Sequence, residues 1–291
     1  MDILINLLSE TIAFVLGVTL SAAWRWLSIT PPVRSFWRAH PSDKIIIAVS
    51  LAEADPHEHT INVPTGDTLA FGEIAALLRR HYPKAEIKFH RSPERPISYE
   101  DEWNGTVVLI GGGKSNLTTR CILAALEPPL YGRDHEHPEH DFKGLRNKEG
   151  RVVRQPIYAD DGRLLQDYAY VIRAPNPYHQ EKSVFILVGG YSHGTYGAAH
   201  WVAQSRDLAW LWQDGVRHSV ADFIRGRSKT DSIQVLLSVP TEGIPSEVEF
   251  PMIGQVQVWH EEGGKMAYYF NAPSKSQYQA AYKRWADVFA S

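Results

Sequence analysis

The chain has 291 residues, 22% charged and 44% hydrophobic, an ordinary globular balance with no low-complexity tract and no internal repeat. A net charge of −3 at pH 7 argues against a general binder of duplex nucleic acid. The single cysteine, Cys121, excludes an internal disulfide framework and fits a reducing compartment; it lies in an apolar stretch after a helix start and reads as a core residue.

Ile3 to Trp24 is a mostly apolar run, and about 20 apolar residues cross a hydrocarbon core of about 30 Å. Only Met1 and Asp2 precede it, whereas Arg25, Arg34 and Arg38 follow, with Trp26 and Trp37 among them. A cleaved signal peptide carries its positive charge on the other side. By the positive-inside rule the C-terminal flank stays in the cytoplasm. The expected organisation is a transmembrane helix at 1–28, a proline-rich juxtamembrane linker at 29–43 and a cytoplasmic α/β ligand-binding domain at 44–291. That gives an uncleaved single-pass anchor, N-terminus outside, with the remaining chain inside the cell.

At about 100° per residue, Asn6, Glu10, Ala13, Gly17 and Ser21 fall on one narrow stripe. A carboxylate facing lipid is costly, whereas small and polar residues let helices approach and hydrogen-bond. Asn6, Glu10, Gly17 and Ser21 are therefore expected to form the seam of a homo-oligomer, as a polar contact or a pore. Two alternatives stand beside this. Asn6 and Glu10 lie in the outer headgroup zone, or the whole segment is an amphipathic helix on the membrane surface.

Pro31, Pro32 and Pro41 prevent one long helix through the linker. Lys44 to Leu51 is a continuous apolar run, as in a strand buried on both faces. Residues 52–66 form a polar loop, and Thr68 to Tyr82 a helix capped near Asp67. Ala85 to His90 and Thr106 to Ile110 read as strands, and Leu117 to Leu126 as a helix. Residues 127–166 look irregular or hairpin-like. Asp167 to Arg173 is a strand ending at Pro175-Asn176-Pro177, and Ser183 to Val188 is a buried strand. A helix runs from Tyr196 to about Gln204, and Asp207 to Ile224 gives one or two more. Ser232 to Val239 and Val256 to His260 are later strands, and Ser274 to Phe289 is a terminal amphipathic helix. Strand–loop–helix units of this kind imply an α/β fold, a mostly parallel sheet with helices on both faces.

Two glycine-rich loops carry the chemistry. Gly111-Gly112-Gly113-Lys114-Ser115-Asn116 and Gly189-Gly190-Tyr191-Ser192-His193-Gly194-Thr195 each follow a buried strand and open a helix. Ligands of open α/β sheets bind at such carboxyl ends, where free N–H groups and the helix dipole favour phosphate. Lys114 is suited to neutralise a phosphate, with Ser115, Asn116 and Thr118 adding polar contacts. In the second loop Ser192, His193 and Thr195 surround Gly194. Asn176 is a third polar group at a strand end. The plainer alternative is that these glycines only make tight turns and helix starts.

Several motifs fail. Gly113-Lys114-Ser115 ends like a P-loop, but Val108 stands where that motif needs its first glycine. Neither loop is G-x-G-x-x-G, so no dinucleotide site is supported, and no cofactor is expected. His135, His137 and His140, and His57 and His59, read as solvated charged loops, so no metal is expected. His193 suits general acid–base work, but no partner carboxylate is identifiable, and no catalytic residue is assigned. The basic clusters Arg225, Arg227, Lys229 and Arg79, Arg80, Lys84, Lys88 read as solvated faces.

The segment GGYSHGTYGA resembles the glycine-threonine loops of SLOG-type nucleotide-binding folds. The polar stripe, the topology and the twin loops together resemble, in architecture, the membrane effectors of bacterial nucleotide-signalling antiphage systems. That resemblance implies a nucleotide or short oligonucleotide as ligand, bound by Gly111 to Thr118 and Gly189 to Thr195. It also implies a homo-oligomer in the membrane that disrupts it or conducts ions. The rival expectation is a membrane-tethered enzyme acting on a nucleotide or sugar phosphate, with His193, Asn176 and Lys114 as its candidate catalysts.

Overall fold

The computed structural model describes residues 14–19, 33, 36–37, 39–40, 42–50, 65–91, 105–113, 116–131, 144–176, 179–204, 232–241, 253–261, 264–265, 267–271, 276 and 280. The expected helices over Asp207 to Ile224 lie outside these residues, as does nearly all of the expected terminal helix.

Apart from their first residues, strands β1 (Lys44–Val49) and β3 (Thr106–Ile110) are aliphatic because they bury both faces. Ile45, Ile47, Val49, Val108 and Ile110 enter one core; Ile46, Ala48, Val107 and Leu109 enter the other. Helix α1 (Thr65–His81) covers the first face with Ala70, Ile74, Leu77 and Leu78. Helix α2 (Leu117–Leu126) covers the second with Ile122, Leu123, Ala125 and Leu126. Helix α3 (Ser192–Ala203) returns to the first face, packing beside α1 through Ala198, Ala199, Trp201 and Val202. The expectation of helices on both faces holds.

The sheet is mixed. Strand β2 (Glu86–Arg91) pairs with β1, β1 with β3, and β3 with β9 (His179–Gly189), all in parallel. Beyond β9 every pairing is antiparallel. β8 (Leu164–Asn176) pairs with β9, β10 (Ser232–Pro240) with β8, and both β11 (Gln257–Val258) and β14 (Ala267–Phe270) with β10. The expected mostly parallel sheet is thus corrected to a parallel half joined to an antiparallel half. Asn176 opposes His179 across a two-residue connection, and so short a link permits only an antiparallel hairpin. Both hairpin strands also exceed their expected lengths, because β8 continues through Pro175 at an irregularity in the register.

Within residues 127–166, expected to be irregular or hairpin-like, the described residues form short antiparallel strands: β4 (Leu130–Tyr131), β5 (Leu145–Asn147), β6 (Val152–Arg154) and β7 (Ile157–Tyr158). β4, β5 and β6 make a small antiparallel sheet over the second core, and β7 pairs with the start of β8. The buried Gln234 of β10 acts as a strand edge. Its Oε1 accepts from Leu130 N–H at 2.9 Å and its Nε2 donates to Leu130 O at 2.7 Å. β12 (His260–Glu261) and β13 (Gly264–Lys265) form a separate hairpin.

The linker is more than a tether. Val33, Phe36 and Trp37 are buried in the first core, with the Trp37 and Phe185 rings 4.2 Å apart. Lys182 of β9 donates to Asp43 at 2.6 Å just before β1. Residues 33, 36 and 37 therefore belong to the domain expected to begin at 44.

Of the apolar N-terminal run, residues 14–19 are described and helical. Phe14, Val15, Leu16 and Val18 are each more than half exposed, and among the described residues none lies within 4 Å of a Cβ placed on Gly17. Asn6, Glu10 and Ser21 lie outside the described residues. Among the described residues no helix is long and apolar enough to cross a membrane.

Candidate functional site

The two glycine loops leave β3 and β9, which are hydrogen-bonded neighbours running in the same direction. They therefore open side by side at the carboxyl end of the parallel half, beside Ser50 at the end of β1. Ser50 N–H donates to Ile110 O at 3.1 Å, and Gly111 N–H to Leu187 O at 3.0 Å, tying the three strand ends together. Gly111 has φ +98°, which admits the sharp exit from β3.

Two carboxylates fill the inside of this edge. Asp67 lies in the first turn of α1, which begins at Thr65, earlier than the cap expected at Asp67. Its Oδ2 accepts from the Ser50 hydroxyl, and the Thr195 hydroxyl of α3 also donates to it. Burial pushes the Asp67 carboxyl up to about 6 against these two hydrogen bonds.

Asp167 sits beneath the second loop, 1% exposed. Its Oδ2 accepts from Tyr191 N–H at 2.9 Å and Gly194 N–H at 2.8 Å, and its Oδ1 from Tyr168 N–H at 2.9 Å. Burial drives this carboxyl up to about 7 in spite of those donors. A Cβ on Gly194 would stand 2.6 Å from the same Oδ2 and 2.4 Å from Tyr168 O. The second loop is thus glycine-rich because it wraps the protein's own carboxylate. The N–H groups expected to receive a phosphate at the start of α3 already donate to this carboxyl.

The candidates divide accordingly. Gly189, Gly190, Gly194 and Thr195 build the Asp167 nest, with Thr195 Oγ1 accepting from Gly189 N–H at 3.2 Å. Ser192 and His193 lie on the rim, half-buried, and burial holds the His193 imidazole below its ordinary value. Asn116 is the buried N-cap of α2. Its Oδ1 accepts from Thr119 N–H at 3.1 Å and its Nδ2 donates to Ile110 O at 3.1 Å, so its amide is spent on architecture. Thr118 is buried beside it. Gly113 packs on Arg120, whose Nε donates to Gly113 O at 2.7 Å. Gly112 remains half-exposed, its nearest neighbour for an added Cβ being Val188 at 3.4 Å. Lys114 and Ser115 lie outside the described residues.

Asn176 is not part of this edge. It is buried at the far end of β8, where its Nδ2 donates to Gly105 O at 2.8 Å, at the amino end of β3. Antiparallel pairing of β8 with β9 puts it there.

Ser50, Asp67 and Asp167 escaped the sequence reading. Asp67 follows a glycine at a helix start, and Asp167 opens an apolar run, a position that normally faces solvent. Their common signal is a carboxylate at the boundary of a buried element. Among the described residues no group of three His, Cys, Asp or Glu side chains is placed to hold a metal ion. Comparison of the chain with protein-family models, curated proteins and solved structures finds no match.

Proposed function

We propose that the chain is a membrane-anchored, self-associating effector whose carboxyl-end cleft binds a nucleotide or short oligonucleotide. In this reading the bound signal controls membrane disruption or ion conduction in antiphage defence, with the ligand-binding domain in the bacterial cytoplasm. The observation that carries it is the parallel pairing of β3 with β9, which sets both glycine loops at one edge. Because Asp67 and Asp167 fill the inner seats, the phosphate lies against Gly112 and Gly113, with Lys114 next in sequence. Ser192 and His193 contact the remainder of the ligand from the opposite rim.

Coupling to the membrane follows from the linker. Phe36 and Trp37 pack on Phe185, in the strand that ends at the second loop. A ligand that prefers one position of β9 biases the linker by that same preference.

The test is a thermal-shift and mass-spectrometric screen of the intact chain in nanodiscs. Mono-, cyclic and short oligonucleotides are compared on the wild type and Gly112→Trp. A nucleotide that stabilises only the wild type and is recovered intact supports the reading. Equal stabilisation of both chains removes the cleft. Asp67 and Asp167, two buried carboxyls poised near neutrality at the loop edge, favour a second reading, a membrane-tethered enzyme on a nucleotide or sugar phosphate. Consumption of the added nucleotide decides for it.

A further inference from the structure

An open surface pocket of about 600 Å3 lies on the other face of the molecule, between the small β4–β5–β6 sheet and β14. That volume is within the range of small-molecule sites. Leu130, Val153 and Tyr268 supply an apolar and aromatic lining, and Lys148, Arg151 and Arg154 stand around it. Glu149 is the one carboxylate among the lining residues, so three cations face one anion on a chain whose net charge is −3.

The walls are built. Gln234 clamps both main-chain groups of Leu130, fixing β4 to the large sheet. Asn147 Oδ1 accepts from Arg151 N–H at 2.9 Å, and Arg146 Nη1 donates to Gly150 O at 3.1 Å, closing the turn that carries Lys148 and Arg151. The Arg154 guanidinium lies 4.5 Å from the centre of the Trp259 ring, which holds its plane in place. Guanidinium groups favour phosphate oxygens, and an aromatic wall favours a planar ring.

We infer that this cavity is a second ligand site, distinct from the glycine-loop cleft, for a small anion that carries an aromatic ring, the chemistry of a nucleotide. The ring lies against Tyr268, and the phosphates meet Lys148, Arg151 and Arg154. Helix α2 runs from the glycine loop at Asn116 to Glu127, next to Pro129 on the cavity wall, and so connects the two sites physically.

Calorimetric titration of the intact chain in nanodiscs with ATP, adenosine and inorganic triphosphate tests this. Lys148 and Arg151 are exposed, so Lys148→Glu with Arg151→Glu keeps the fold, checked by an unchanged melting temperature. The expected result is ATP binding tighter than either fragment, weakened at least tenfold in the double variant and by added salt. Gly112→Trp, which blocks the cleft instead, leaves this binding in place. No ATP binding by the wild type, equal binding by the double variant, or loss only in Gly112→Trp overturns the inference. The last result would leave the cleft reading standing.

Discussion

Asp67 and Asp167 set how the loop edge responds to pH. Both carboxyls rise from an ordinary 3.8, to about 6 and about 7, because burial outweighs their donors. Between those values the native state keeps protons that the unfolded chain has released. Their contribution to stability is therefore full below about pH 4 and falls as pH rises through 6 and 7. Asp67→Asn should flatten the pH 4–6 part of that decline in urea melts; an unchanged slope would contradict the assignment. The glycines give a second contrast. Gly194→Ala forces a Cβ against Asp167 and Tyr168 O, and is expected to cost about 2 kcal/mol or more. Gly112→Ala meets only Val188 at ordinary contact and should stay within about 1 kcal/mol of wild type. Chemical denaturation of the pair measures both. The sequence makes the turns visible at these glycines but not what they enclose. Asp167 reaches the loop only through the pairing of β8 with β9, and no local pattern encodes that.

β3 and α2 match their expected bounds because their signals are local. The aliphatic run of residues 107–110, the N-cap Asn116, and a C-cap at Glu127 followed by Pro128 and Pro129 are all local signals. β8 and β9 were legible as strands but not in direction. Both bury their two faces, and an apolar run looks the same in a parallel or an antiparallel pair. Gln234 illustrates a polar residue whose purpose appears only in three dimensions. Gln234→Leu leaves Leu130 N–H and C=O without their partner, at about 1–3 kcal/mol for each group, and should loosen β4. Equilibrium unfolding, with hydrogen exchange at β4, checks this. Between α1 and α3, His200 Nδ1 meets Glu73 at 2.9 Å, and that hydrogen bond raises the His200 imidazole above its ordinary 6.5. The charged pair contributes below about pH 6.5 and is lost as pH climbs through the raised value. Glu73→Gln should accordingly lower the melting temperature more at pH 5.5 than at pH 8; equal losses would count against the pair.

For the molecule as a whole, the organisation ties an exposed apolar helix segment to a domain through residues that the domain buries. The prolines of residues 29–43 exclude one long helix through the linker but do not reveal that Val33, Phe36 and Trp37 pack with Phe185 in the first core. Only the long-range contact with β9 shows where Phe36 and Trp37 pack. Trp37→Ala should cost about 3–5 kcal/mol, as for a buried Trp elsewhere, if this docking holds; a near-neutral effect by denaturation would show that the linker is free. If a nucleotide in the cleft acts on the membrane, ion leak from liposomes carrying the full chain reports it. Leak is followed as mono-, cyclic and short oligonucleotides are added to the wild type and to Gly112→Trp. At least one nucleotide should change the leak of the wild type and leave Gly112→Trp unaffected. A leak that no nucleotide alters, or one altered equally in both chains, would contradict the claim.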